Sequence, residues 1–149
     1  MLGTAVVIND VGHAIQLALA PVFLLTGIAG TLNVMTGRLA RIIDRGRHIT
    51  EHFAPGGSQL QDMLALELRS LEKRRHLASA AISATTFSAL LVCTVITALF
   101  VEVLLDLHLN LLVGLLFSSS SLALVVGLAY FLREVRLATK TVRIPTSLS

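Results

Sequence analysis

Charge is scarce in this chain of 149 residues: 14% of them are Asp, Glu, Lys or Arg, against 54% that are hydrophobic. That balance is too poor in charge to coat a water-facing surface, which argues against a soluble globular domain and points to lipid. Cysteine is nearly absent as well. Cys93 stands alone, so no disulfide can form within the chain, and its place inside an apolar run makes it a packing residue. Glycine and proline are missing between Ser58 and Gly114, leaving no strong helix breaker over that stretch. No basic residue precedes the first apolar run, which is also longer than the ~7–15 residues of a signal-peptide core. It is expected to stay in the mature protein.

What the chain has in abundance is uninterrupted apolar sequence. Ala14 to Gly37, Leu77 to Val101 and Leu107 to Leu132 contain no Asp, Glu, Lys or Arg. Each exceeds the roughly 20 residues a helix needs to cross a hydrocarbon core about 30 Å thick. The expected fold is therefore all-α, a single membrane domain over residues 1–149 with three transmembrane helices at about 14–37, 77–101 and 107–132.

The basic residues give the spans a direction. All twelve Lys and Arg fall between Arg38 and Arg75 or between Arg133 and Arg143. Set against Asp44, Glu51, Asp62, Glu67, Glu72 and Glu134 they leave +6, while the other ends hold only Asp10, Glu102 and Asp106, or −3. The positive-inside rule then places the amino terminus outside and the carboxyl terminus in the cytoplasm. A basic cytoplasmic face is read as attraction to anionic lipid headgroups, with no nucleic acid as partner.

Asn9 and Asp10 are natural caps, so the first helix is expected to begin near Val11, with Pro21 removing one backbone hydrogen bond inside it. Leu39, Ile42 and Ile43 continue a helical period beyond the span. The helix should end at Ala54-Pro55-Gly56-Gly57, and the Ser-x-x-Gln box at Ser58 should open the second helix, from Gln59 to about Asp106. Residues 38–76 would then form a cytoplasmic antiparallel helical hairpin. Leu39, Ile42, Ile43 and Ile49 are expected to pack on Leu60, Met63, Leu64, Leu68 and Leu71, with Arg45 near Glu67 and Arg38 near Glu72 and Lys73. The third helix should run from about Leu109 to Arg136 or a little beyond, within a cytoplasmic tail of 133–149 that is loosely ordered from Thr141.

Chemistry-bearing patterns are few. His48-Ile-Thr-Glu51-His52 matches the H-x-x-E-H pattern of one zinc metallopeptidase class, in which two histidines bind metal and the glutamate is the base. It lies three residues before Pro55, where the helix should fray, and no distant glutamate has an evident reason to complete the site. No enzyme activity, metal or cofactor is expected. Glu102, His13 and His108 share the outer level and could form a modest polar ring. Gly27, Gly30 and Thr31, with Ser79, Ser83 and Thr86, and with Ser118 and Ser121, form small or hydroxyl-bearing faces suited to close helix packing. Thr94 and Thr97 extend the second stripe. Arg38, Arg41, Asp44, Arg45, Arg74, Arg75 and Glu134 gather at the inner boundary, where they suit an anionic lipid, a phosphate or a partner.

Several runs carry a resemblance: Ala20-Pro21-Val-Phe-Leu-Leu-Thr26-Gly27, Arg38-Leu-Ala-Arg41-Ile-Ile-Asp44-Arg45-x-Arg47, Leu71-x-x-Arg74-Arg75, and Phe131-Leu-x-Glu134-Val. Together they resemble an uncharacterised family of three-span bacterial membrane proteins, domain of unknown function 2721. The resemblance covers most of the chain and implies a bacterial inner-membrane location and a shared hairpin fold. It implies no activity or catalytic residue, and the His48 to His52 pattern is not among its motifs. The expected function is a nonenzymatic structural or regulatory membrane component that assembles with itself or within a larger membrane complex, since polar stripes need partners in lipid. The alternative is an oligomeric ion or small-solute channel lined by those stripes.

Overall fold

The computed structural model describes the backbone of residues 2–52 and 58–141, and the side chains of 11–51 and 64–139. All of the described secondary structure is helical: α1 spans Leu2–His52, α2 Ser58–Leu105 and α3 Asn110–Thr141. With 51, 48 and 32 residues they measure about 77, 72 and 48 Å at ~1.5 Å per residue, each longer than a ~30 Å hydrocarbon core. All three are long and apolar enough to cross a membrane, with mean hydropathies of 1.8, 2.4 and 2.2 in their most apolar windows.

One boundary departs from expectation. α1 begins at Leu2 rather than Val11, because Ala5-Val-Val-Ile8 contains no breaker and a helix once nucleated propagates through Asn9 and Asp10. α3 runs a little beyond Arg136, to Thr141, as expected. α1 also runs unbroken across Pro21, which is buried. The expected turn at residues 54–57, the side chains of Leu60 and Met63, and the tail beyond Thr141 lie outside the described residues.

Burial recurs at a period shorter than that of a straight helix. On α1 it falls on Ala14, Pro21, Ile28, Met35, Ile42 and Ile49, every seventh residue, and on Ala18 between the first two. On α2 it falls on Ala78, Ala81, Thr85, Ser88, Val92, Val95 and Leu99, alternating three and four apart, and on α3 on Ser120, Gly127 and Glu134, again every seventh. A 3.5-residue period is that of knobs-into-holes seams.

The chain divides into two compact units, Met1–Leu32 with Ala84–Val126, and Asn33–Ser83 with Gly127–Ser149. In the first, Ala18, Val95 and Leu99 form a buried cluster backed by Phe100, Val113 and Leu116. Small residues there bring helices close: the fully buried Ser88 hydroxyl donates to the Ser120 carbonyl at 2.7 Å. At its end α2 closes in a Schellman motif, the Leu107 amide donating to the Glu102 carbonyl at 3.0 Å while Asp106 takes a left-handed φ of 51°.

In the second unit α1 and α2 pack antiparallel. Arg38 lies level with Arg74, and Arg45, seven residues on, pairs with Glu67, seven residues back. Ile42 and Ile49 are buried as expected, but Ile43 is 43% exposed, because the 3.5-residue seam carries it off the packed face.

Candidate functional site

Glu134 is the one acidic or basic residue among the described side chains that is fully buried. A carboxylate is costly to withdraw from water unless paired and hydrogen-bonded. Here the seven-residue repeat that buries Ser120 and Gly127 of α3 carries Glu134 inward, and two arginines from the other helices meet it. Arg38 Nε of α1 donates to Oε2 at 3.1 Å; Arg74 Nε and Nη2 of α2 donate to Oε1 at 3.2 and 3.1 Å. The Arg38 guanidinium also lies 5.6 Å from the centre of the Phe131 ring, one turn back on α3. Three helices are thereby tied where the apolar sequence gives way to charge.

Arg38 and Arg74 retain 32% and 22% of their side-chain exposure. With Arg41, Ile42, Arg45 and Leu71 they line a groove of about 300 Å³. Arg38, Arg41 and Arg45 fall three and four residues apart, one edge of α1 over two turns. Arg45 is held by Glu67, Nη2 to Oε1 at 2.9 Å, an exposed pair. Arg38 and Arg74 share Glu134 and Arg45 pairs with Glu67, so the four guanidiniums of the groove exceed those two carboxylates by two positive charges.

Of the residues expected at this boundary, the structure joins Arg38, Arg74 and Glu134 directly and places Arg41 and Arg45 on the same groove. Arg75 belongs elsewhere. It pairs with Glu72 at 3.0 Å and lines a separate groove with Leu39, Ile43, His76 and Ser79. Asp44 is exposed. Arg38, expected near Glu72 and Lys73, lies level with the adjacent Arg74 on α2 and donates to Glu134 on α3.

The small and hydroxyl faces take a different place from intrachain packing. Gly27, Gly30, Ser79, Ser83, Thr86 and Ser118 are exposed and Thr31 and Ser121 half-buried. A Cβ added at Gly27 or Gly30 would meet nothing within 4 Å. Inside the chain the buried small and hydroxyl residues are Thr85, Ser88, Ser120 and Gly127; Thr85 and Ser120 sit next to the expected Thr86 and Ser121, ~100° away around their helices. Several outward hydroxyls are satisfied within their own helices: Thr31 on Gly27 and Ile28, Thr94 on Leu90, Thr97 on Cys93, Ser118 on Gly114 and Ser121 on Phe117. These hydroxyls therefore do not by themselves demand a partner in lipid.

At the far end of the spans His13, Glu102, Asp106 and His108 do come together, lining a cleft of about 290 Å³ with Ala14, Leu17 and Leu99. His48 and Glu51 lie exposed on α1, with Glu51 3.9 Å from Arg47; the His52 side chain lies outside the described residues. Two contributors escaped sequence reasoning. Phe131 as a platform for Arg38 needed the α3 phase, and the Ser88–Ser120 contact was signalled only by the seven-residue spacing of Val113, Ser120, Gly127 and Glu134.

No curated protein and no solved structure matches this chain. A family model described as "Protein of unknown function (DUF2721)" matches residues 18–144, a stretch that holds most of the first apolar run, all of the other two, the arginines of the groove and Glu134. Since that match takes in most of the sequence, the chain belongs to the DUF2721 family.

Proposed function

We propose that this protein is a nonenzymatic, multi-pass component of the bacterial inner membrane, with its amino terminus outside and its carboxyl terminus in the cytoplasm. It works by assembling, with copies of itself or within a larger complex, through helix faces that its own packing leaves unused. The observation carrying this reading is the division of labour on α1. Ala14, Pro21, Ile28 and Met35 serve the chain's own seam, while Gly27 and Gly30 stand outward with open space beyond them. In lipid, where apolar surface alone does not drive helices together, small residues that admit a close backbone approach are the usual basis of association. The split of +6 and −3 across the ends supports the orientation, which makes the charged α1–α2 hairpin the cytoplasmic working surface.

The open space at Gly27 and Gly30 also makes a clean test. The Cβ of a leucine at either position meets nothing within 4 Å on these outward faces, and the substitution raises helix propensity by roughly 1 kcal/mol, so the protomer should fold as before. Mass measurement in nanodiscs should find an oligomer for the natural chain and smaller species for Gly27→Leu/Gly30→Leu. A monomeric natural chain that also traps no neighbour by crosslinking in native membranes would sink the proposal.

A further inference from the structure

We infer that the arginine groove beside Glu134 is a binding site for a phosphate group, carried by an anionic phospholipid headgroup or by a soluble phosphate ester. The inference goes beyond assembly and stands whether or not the chain self-associates. It starts from a charge imbalance. Glu134 draws Arg38 and Arg74 together, yet one carboxylate neutralises only one of them, and Arg41 and Arg45 add two more guanidiniums against Glu67 alone. Like charges crowded beside a low-dielectric span repel unless an anion sits among them.

The donors are also preset. Arg38 spends Nε on Glu134, and Arg74 spends Nε and one Nη2 hydrogen, which leaves most of the five N–H groups of each guanidinium unspent. Glu134 on one side and the Phe131 ring on the other hold Arg38 in place before any ligand arrives, so little side-chain freedom is lost on binding. Planar guanidinium forks match phosphate oxygens in pairs. A groove of about 300 Å³ lies at the small end of ligand sites, room for a headgroup and not for an extended molecule. Its depth suits a lipid: Arg38 directly follows the first apolar run, Arg74 shortly precedes the second, and Glu134 closely follows the third. Basic pockets between spans at this level are where anionic headgroups are held.

Arg41 is the residue to perturb, because it is exposed and takes no part in holding Glu134. Arg75 is the control at matching depth, outside the groove. The delipidated full-length protein is titrated with phosphatidylglycerol and bound lipid is read by native mass spectrometry. One saturable lipid is expected, bound about tenfold more weakly by Arg41→Gln, the size of one charge-assisted hydrogen bond. Arg41→Lys should fall between, keeping the charge and losing the fork, and Arg75→Gln should bind like the natural chain. Inorganic phosphate added in competition then separates the sources: displacement assigns the site to a soluble phosphate ester, and resistance assigns it to lipid. Equal weakening by Arg41→Gln and Arg75→Gln would mean diffuse attraction and overturn the proposal. So would the absence of saturable binding by both ligands.

Discussion

Replacing Glu134 by glutamine tests the physical account of how the three helices are joined. The side chain keeps its shape and loses its charge. Its carbonyl oxygen can still accept from one arginine, but its amide then faces the other arginine, donor against donor, at the 3.1 Å now spanned by the Arg38 contact. Three charge-assisted hydrogen bonds hold the natural carboxylate, each with a net value of about 1.5–3 kcal/mol, and breaking a buried pair by removing one partner costs about 3–5 kcal/mol. Arg38 and Arg74 are partly exposed and regain water when released, which discounts the figure. The expected loss is about 3 kcal/mol, roughly a hundredfold in the folding equilibrium. Titration with sodium dodecyl sulfate in mixed micelles, followed by circular dichroism, reads it directly. The same reasoning requires strong non-additivity. Arg38→Met/Arg74→Met strands the buried carboxylate and should be at least as harmful, whereas adding Glu134→Leu to that pair should recover most of the loss, because apolar residues of similar size replace buried ionic groups at little cost. A Glu134→Gln protein unfolding at the natural midpoint, or a triple variant worse than the double, would refute the argument.

Three further outcomes follow from other contacts. Ser88→Ala removes the buried hydroxyl bond to Ser120 and should cost about 0.5–1.5 kcal/mol in the same titration, while Ser88→Leu overpacks the seam and should cost about 1–3 kcal/mol. Asp106→Gly relieves a left-handed residue at the end of α2 and should raise stability by up to about 1 kcal/mol; Asp106→Val should lower it by about 1–2 kcal/mol. Glu67→Ala breaks only the exposed pair with Arg45, whose side chains are 40% and 56% exposed, so the change should stay below about 1 kcal/mol and shrink as salt is added.

Much of the candidate site could be read from one sequence. Arg38, Arg74 and Glu134 stand at similar distances from their span centres, and depth alone told that they could meet. Depth does not tell azimuth. Arg74 and Arg75 are neighbours in sequence and differ by ~100° around the helix, so one reaches Glu134 and the other turns to Glu72. The Arg45–Glu67 pair was legible because antiparallel pairing about a short turn constrains partners, whereas the choice of Glu134 as the partner of Arg38 was not, because the turn says nothing about a third helix.

The small-residue stripes show the same limit. The expected stripe of Ser79, Ser83 and Thr86 has the same three-and-four spacing as the buried Ala78, Ala81 and Thr85 and lies about one residue, ~100° around the helix, away, an offset that spacing alone does not reveal. The sequence by itself determined what depends on transfer from water: three spans, their helical state, and the lengths that overrun the bilayer. Those follow from local composition, since a backbone in lipid has few ways to satisfy its hydrogen bonds. Only the tertiary structure decided which side of each helix faces its neighbours, and hence that Glu134 is buried, Arg75 is not, and Gly27 looks outward. Those facts depend on the mutual phase of three helices, which no single stretch of sequence contains.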